Sequence, residues 1–135
     1  MKTISIITVN YNNCQGLERT VNSVARQTYT DVEYIVVDGG STDKSVDIIK
    51  QNENIISFWV SEKDNGIYNA MNKGVSFSHG EYLLFLNSGD YFADKDVLSN
   101  IFENGLDLNE ELLIGRQRFI DIKNKTKGIS PKLHI

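Results

Sequence analysis

Short apolar runs alternate along the chain with polar stretches rich in Asn, Asp and Gly. Four of these runs are dominated by β-branched and aromatic residues, as strands are, and they cover residues 4–9, 32–37, 55–60 and 82–86. The fourth run, YLLFL, is apolar at every position, which is typical of a strand covered by helices on both faces of its sheet. The pattern therefore predicts a sheet with parallel character.

Between the predicted strands, apolar residues recur at helical spacing. The first stripe ends near Gln27, and the second follows a cap at Ser41 or Thr42. The third starts at residues 64–65 and ends near residues 79–80, where a glycine can adopt the left-handed conformation that closes a helix. Because crossovers between parallel strands are right-handed, the order β-α-β-α-β-α-β predicts a doubly wound α/β sheet.

The pattern weakens beyond Asp90. A short helix is predicted near residues 97–102 and an extended segment over residues 112–122, whereas the last residues show no periodicity. We predict that residues 1–122 form one domain. Residues 123–135 are then a basic tail or the start of an acceptor-binding region.

Composition sets limits on the partners and the location of the protein. With 135 residues, 40% of them hydrophobic and 24% charged, the chain has the make-up of one soluble globular domain. A net charge of −4 disfavours nucleic acid as a partner. Cys14 is the single cysteine, which suits a reducing cytoplasm. The start of the chain turns polar too soon for a signal peptide or a membrane span, so we expect a cytoplasmic protein.

Charge is unevenly spread along the sequence. Six basic residues and one acidic residue follow residue 115, so the end of the chain carries +5 and the rest carries −9. A basic end can rest against anionic lipid, where each Lys or Arg near the surface contributes about 1 kcal/mol. Residues 123–135 thus have two interpretations: peripheral contact with the inner face of the membrane, or a solvated segment without a partner.

A polar cluster follows each predicted strand, and the clusters cover residues 10–13, 38–41, 61–66 and 87–90. Ligands of open α/β sheets bind beyond the carboxyl ends of the strands, so we expect the four clusters to converge on one site. Neither a dinucleotide-binding G-x-G-x-x-G nor a P-loop is present. The clusters instead carry acids that suit base N–H groups, ribose hydroxyls and a divalent cation: Asp38, Glu62, Asp64 and Asp90. An activated sugar fits them, because a divalent ion would neutralise its leaving diphosphate.

Four motifs contain these clusters. They read SIITVNYN from Ser5, VVDGGSTD from Val36, SEKDNGIYNAMNKG from Ser61 and GEYLLFLNSGD from Gly80. In this order and spacing they resemble the motifs of family 2 glycosyltransferases. The resemblance covers residues 4–90, extends to about residue 122, and implies the GT-A fold, a Rossmann-like, mostly parallel sheet flanked by helices.

The resemblance also implies how a nucleotide would be held. Thr8, Tyr11 and Asn12 are expected to surround the base, with Tyr11 stacking on it. Asp38 is expected to accept a hydrogen bond from a base N–H, and Asp64 to contact the base or the ribose.

The last motif is implied to hold a metal ion. Asp90 matches the acidic residue that coordinates Mg²⁺ or Mn²⁺ on the donor diphosphate, so it is the expected metal ligand. The family commonly has further acids where this chain has Asn87 and Gly89, so the metal affinity is expected to be weaker. Asn87 can still bond to a ribose hydroxyl.

The expected activity is that of an inverting glycosyltransferase. It would move a sugar from a nucleotide-diphosphate sugar, UDP-linked for preference, to a hydroxyl of a carbohydrate or lipid-linked acceptor in surface polysaccharide or glycolipid biosynthesis. The family's general base lies beyond the metal motif, and the sequence ends before it, so no catalytic residue is assigned. The homo-oligomeric state is left open.

Two other functions are weighed against this one. The chain could be a non-catalytic nucleotide-sugar-binding module, or an inactive fragment that lacks the catalytic base. A phospho-accepting signalling domain also places acids at strand ends, but it would need an acidic pair beside the first strand, where this chain has Asn10, Asn12 and Asn13.

Overall fold

Strands and helices alternate along the chain as the sequence pattern predicts. The computed structural model describes residues 3–103, 113–114 and 117–121. In chain order its elements are β1 (Ile4–Asn10), α1 (Cys14–Ala25), β2 (Val32–Asp38), α2 (Ser45–Gln51), β3 (Phe58–Ser61), α3 (Ile67–Ser76), β4 (Tyr82–Phe85), α4 (Val97–Glu103), β5 (Leu113–Ile114) and β6 (Gln117–Asp121). The predicted α/β order is confirmed.

The strands form one sheet in the order β3-β2-β1-β4-β6-β5. The first four are parallel, with Asn10 at the end of β1 opposite Asp38 at the end of β2. β6 runs antiparallel to β4 and also pairs antiparallel with β5. The mostly parallel sheet is thus confirmed, and the extended segment predicted after residue 112 corresponds to β5 and β6.

Successive strand residues face opposite sides of the sheet and build two cores. On one side, Ile6 and Leu84 pack among residues of α1, α2 and α4. On the other side, Ile7 and Leu83 pack with Met71 of α3. The prediction that helices cover both faces of β4 is therefore confirmed.

The starts of two helices differ from the prediction. α2 begins at Ser45, because Ser41 and Thr42 do not cap it: they hydrogen-bond to Asp38 and Asn12 instead. Asp43 Oδ1 accepts from the Ser45 N–H at 2.9 Å in their place. α3 begins after Gly66 rather than at residues 64–65, and it ends at Ser76, before the glycine expected to close it.

Two sequence predictions concern residues that the structure does not describe. The domain boundary at residue 122 and the tail of residues 123–135 lie outside the described residues. Within the described ranges, none of the helices has both the length and the apolar character that crossing a bilayer requires.

Close packing of α3 on β1 generates the first prediction. A Cβ at Gly74 would overlap the side chain of Ile7, which is fully buried. We therefore expect Gly74→Ala to lower the free energy of unfolding by about 1–3 kcal/mol through overpacking, although alanine is the better helix former. Urea denaturation measures this change.

The control for this prediction removes the obstruction. Combining Gly74→Ala with Ile7→Ala is expected to cost less than the sum of the two single substitutions, because alanine at position 7 lacks the Cγ2 methyl that the new Cβ would overlap. Asn72→Ala, at an exposed position of the same helix, reports helix propensity alone. Additive effects of the two core substitutions would contradict the packing argument.

Candidate functional site

A cleft of about 590 Å³ opens at the carboxyl edge of the sheet, between α3 and the ends of the strands. All four polar clusters contribute to it, through Val9, Asn10, Tyr11, Asn13, Gly39, Gly40, Lys63, Asp64, Gly66, Ile67, Ala70, Asn87 and Ser88. The predicted convergence is therefore observed. A hollow of about 690 Å³ lies between α1 and α2, where helix residues of mixed charge line it, so we place the site in the cleft.

Tyr11 and Asp64 flank a glycine in this cleft. A Cβ at Gly39 would lie 3.3 Å from Tyr11 Cδ1 and 3.2 Å from Asp64 Oδ2. The Tyr11 side chain is 63% exposed, so its ring is available to a ligand. Because Gly39 has no side chain, an aromatic ring and a carboxylate oxygen approach each other across an open space. This pair suits a planar group that stacks on the ring and donates a hydrogen bond.

Asp64 is held in place from α3. Its Oδ1 accepts from Lys73 Nζ at 2.5 Å, and the same ammonium group donates to Glu62 Oε2 at 2.8 Å. These two hydrogen bonds raise the pKa of Lys73, the one to Asp64 most strongly. In the described part of the chain no donor bonds to Asp64 Oδ2, the oxygen beside Gly39.

Asp38 differs from Asp64 because it is fully buried. Its Oδ1 accepts from Asn10 Nδ2 (2.8 Å) and Ser41 Oγ (2.6 Å). Its Oδ2 accepts from the N–H groups of Gly40 (3.1 Å) and Ser41 (2.8 Å) and from Ser61 Oγ (2.7 Å). Burial alone would raise the pKa of this carboxyl, but the hydrogen bonds outweigh it and lower the pKa. The predicted base contact stays a prediction, and it would have to displace one of these donors.

Thr8 lies in the interior, beneath the cleft rather than in its lining. It is fully buried; its Oγ1 donates to the Leu86 carbonyl at 2.7 Å and lies 2.8 Å from the Tyr34 hydroxyl. Burial raises the pKa of Tyr34. The structure thus does not bring Thr8 together with Tyr11, and its predicted base contact stays a prediction.

Asn12 connects two loops at the edge of the cleft. Its backbone has φ of 48°, a left-handed conformation that asparagine tolerates. Its N–H donates to Ser41 Oγ at 2.8 Å, and its Oδ1 accepts from the N–H groups of Thr42 (2.7 Å) and Asp43 (3.3 Å). Asn12 therefore shapes the loops beside Tyr11, while its predicted contact with a base stays a prediction.

The turn after β4 is bound to α1. Thr20 Oγ1 accepts from the Gly89 N–H at 3.0 Å and lies 2.6 Å from the Asp90 carbonyl. On the cleft side, Asn87 Oδ1 accepts from the Val9 N–H at 3.1 Å, whereas Asn87 Nδ2 is buried and has no hydrogen-bond partner among the described residues. The predicted metal ligand Asp90 is partly buried beside the cleft rather than in its lining.

This donor set can be tested against a divalent ion. In the ranges that the structure describes, no three His, Cys, Asp or Glu side chains come together to hold a metal. The turn offers one carboxylate, that of Asp90. The amide oxygen of Asn87, which could also bind a metal ion, already accepts a hydrogen bond from the Val9 N–H. Such a set fits an ion whose shell is completed by phosphates and water, as is usual for Mg²⁺, and not one held by protein alone.

Sequence reasoning missed three contributors to the site. Asn10 is 2% exposed and bonds to Asp38, yet the sequence shows it only as one residue of a polar cluster. Lys73 is one of many lysines, and no sequence pattern connects it with its ion-pair partners Glu62 and Asp64, which precede α3. The DGG motif was the available signal for Gly39, since two adjacent glycines after a strand indicate close approach of the backbone.

The buried carboxylate generates a prediction on stability. Asp38→Asn removes the ionised acceptor of five hydrogen bonds, so we expect a loss of about 1–3 kcal/mol in the free energy of unfolding at pH 7. The folded-state pKa is the lower one, so this contribution is present above about pH 4 and is lost as pH falls through the folded-state pKa. Urea denaturation at pH 7 and at about pH 3 measures both effects.

Asp47→Asn is the matched control, because this carboxylate is exposed on α2. It should change stability little at either pH. A difference between wild type and Asp38→Asn that is equally large at both pH values would contradict the proposed dependence on ionisation.

Comparison with known proteins supports the assignment of the fold and the family. A family model described as Glycosyl transferase family 2 matches residues 5–132. An uncharacterized glycosyltransferase of Mycobacterium tuberculosis is 43% identical over 102 residues, which are 75% of this chain and 39% of that protein. The poly(ribitol-phosphate) beta-N-acetylglucosaminyltransferase TarP of Staphylococcus aureus is 33% identical over 121 residues, 86% of this chain and 37% of TarP.

A solved structure agrees with these matches. The crystal structure of S. aureus TarS 1–349 in complex with UDP-GlcNAc superposes with a TM-score of 0.66 at 27% identity, covering 73% of this chain and 29% of that one. The chain thus spans about two fifths of the length of the relatives it matches. With the sheet, the strand-end cleft and the family match in agreement, the chain belongs to glycosyl transferase family 2 and has the GT-A fold.

Proposed function

We propose that the described cleft binds the nucleotide-diphosphate sugar of an inverting glycosyltransferase, and that the donor nucleotide is UDP. The observation that carries this proposal is the placement of the Tyr11 ring and Asp64 Oδ2 on either side of Gly39. Uracil has a face that stacks and an N–H that donates in its plane, so it matches this pair. The UDP-GlcNAc complex of TarS, a structural neighbour that is 27% identical, supports the same donor class.

In this proposal Asp64 takes the role in base binding that the family resemblance implies for Asp38. Both are carboxylates at strand ends, but the oxygens of Asp38 are occupied by internal donors. Asp64 Oδ2 instead lies beside the cleft, and Lys73 fixes the other oxygen. A neutral base N–H can therefore bond to Asp64 without breaking a hydrogen bond of the protein.

The ribose and the diphosphate extend from the base towards the turn after β4. Asn87 lines this part of the cleft and would contact a ribose hydroxyl. Asp90 would hold Mg²⁺ or Mn²⁺, with the shell completed by the diphosphate and water. Such an ion supplies charge neutralisation for the leaving group when it is bound.

The transfer itself needs a second substrate. In inverting transfer the acceptor oxygen attacks the anomeric carbon as the bond to the diphosphate breaks, while a base removes the hydroxyl proton. We assign no described residue to that base. The name of TarP gives poly(ribitol-phosphate), a polymer, as the acceptor of that enzyme. For this chain the proposed partner is a carbohydrate or lipid-linked acceptor in surface polysaccharide or glycolipid assembly.

Calorimetric titration with UDP, GDP and ADP, each with and without Mn²⁺, tests this function. UDP should bind most tightly, and Mn²⁺ should strengthen the binding. Absence of nucleotide binding under every condition would overturn the proposed function. Formation of free sugar or of a glycosylated acceptor from a UDP-sugar then distinguishes a transferase from a module that only binds.

Replacement of the proposed metal ligand gives a further prediction. Asp90→Ala should bind UDP without Mn²⁺ as wild type does, and it should lose the gain in affinity on adding Mn²⁺, because one protein ligand is removed. Asp94→Ala, which removes an exposed acid from the same loop, is the matched control. If Asp90→Ala retains the full response to Mn²⁺ in calorimetry, Asp90 is not the ligand.

The stacking role of Tyr11 can be measured separately. Base stacking on an aromatic residue contributes about 1–3 kcal/mol, so Tyr11→Ala should raise the Kd for UDP by roughly 5- to 150-fold, and Tyr11→Phe should keep most of the affinity. Tyr91→Ala is the control, since Tyr91 is 53% exposed and lies outside the lining of the cleft. Equal losses in the variants at positions 11 and 91 would contradict stacking.

A further inference from the structure

Lys73 reaches back from the last turn of α3 to two acids that precede the helix. Its ammonium group donates to Asp64 Oδ1 and, at 2.8 Å, to Glu62 Oε2. The Lys73 side chain is 21% exposed and that of Asp64 is 8% exposed, so solvent screens this ion pair less than a surface pair. The two hydrogen bonds raise the pKa of Lys73, the one to Asp64 most strongly, which keeps the ammonium group charged.

This ion pair fixes the direction of the second oxygen of Asp64. Oδ2 receives no hydrogen bond within the described residues, and it lies 3.2 Å from the position that a Cβ at Gly39 would take. Rotation about the terminal bond of an aspartate is broad, so the carboxylate would turn more freely without Lys73. With Lys73 in place, a ligand meets one oxygen that can only accept a hydrogen bond, because an ionised carboxylate has no proton to donate.

Pyrimidine bases differ in what they present to such an oxygen. Uracil carries a ring N–H between its two carbonyl groups, whereas cytosine has a nitrogen with a lone pair at the same ring position. The oxygen attracts the N–H and repels the lone pair, and it reaches the exocyclic amino group of cytosine only if the base moves. A site built to bond to an N–H rejects an analogue that lacks it, because a polar group of the site is then left unpaired.

We infer that Lys73 is a positioning residue that sets the base selectivity of the cleft: it holds Asp64 so that Oδ2 accepts the ring N–H of uracil and rejects the ring nitrogen of cytosine. The inference rests on the proposed function, because it needs a base between Tyr11 and Asp64. Lys73 does not line the cleft itself. Its effect on a ligand therefore passes through Asp64.

The test compares UDP with CDP by calorimetry in the presence of Mn²⁺. Both share the ribose and the diphosphate, so the ratio of their Kd values reports on the base. Wild type should bind UDP at least about tenfold more tightly than CDP, as expected of one hydrogen bond to a charged group. Lys73→Met, of similar length and without charge, should lower this ratio at least about threefold. Lys50→Met removes an exposed lysine from the last turn of α2 and is the matched control, which should keep the ratio.

A double-mutant cycle measures whether Lys73 acts through Asp64. In Asp64→Asn the amide can turn to offer either its oxygen or its amino group, so the Kd ratio should approach one. Adding Lys73→Met to that variant should then change the ratio by less than about twofold. Thermal denaturation verifies that the variants are folded.

The outcomes distinguish failure of this inference from failure of the proposed function. If no nucleotide binds to the wild type, the proposed function fails and the inference with it. If UDP binds but the Kd ratio is the same in wild type and Lys73→Met, the proposed function stands and the inference is overturned. A preference for UDP that persists in Asp64→Asn also overturns it. So does an equal fall of the ratio in Lys50→Met, or a full effect of Lys73→Met in the Asp64→Asn background.

Discussion

The cleft depends on the burial of one ionised group, the carboxylate of Asp38 at the end of β2. A buried charge is tolerated when hydrogen bonds replace its hydration, and here five donors do so. They come from the end of β1, from the loop that follows β2, and from the end of β3. One side chain thereby fixes the relative positions of three strand ends, and with them the backbone that carries Tyr11 and Gly39.

A division of roles between carboxylates follows from this constraint. Asp38 is stabilised inside the protein, and both of its carboxylate oxygens accept hydrogen bonds from strand ends and the loop after β2. Asp64 is held through one oxygen by Lys73, so the other oxygen can serve a ligand. Burial and the number of internal donors, rather than residue type, therefore separate a carboxylate that organises the site from one that can bind. The proposed functions of both residues depend on that distinction.

Features that repeat along the chain could be predicted from the sequence. Features that depend on contacts between distant segments could not. The four parallel strands and the convergence of their polar ends follow from apolar periodicity and from the geometry of α/β sheets. The predicted cap of α2 was wrong because Ser41 hydrogen-bonds to Asp38 instead, and no local sequence pattern reports that competition. The roles of Asp38 and Asp64 could not be told apart either, since the donors that decide them come from Ser61 and Lys73 on other elements. The antiparallel direction of β6 is likewise set by its pairing and not by its periodicity.

The attachment of the β4 turn to α1 bears on how this site could be exchanged among relatives. Thr20, on the buried side of α1, bonds to both Gly89 and the carbonyl of Asp90. The position of Asp90 thus depends on a contact with a helix that lies some seventy residues earlier in the chain. A chimera that received the turn alone would carry the acidic residue without its support. Helix and turn form one transferable unit, and recombination that separates them should yield folded proteins with a displaced carboxylate.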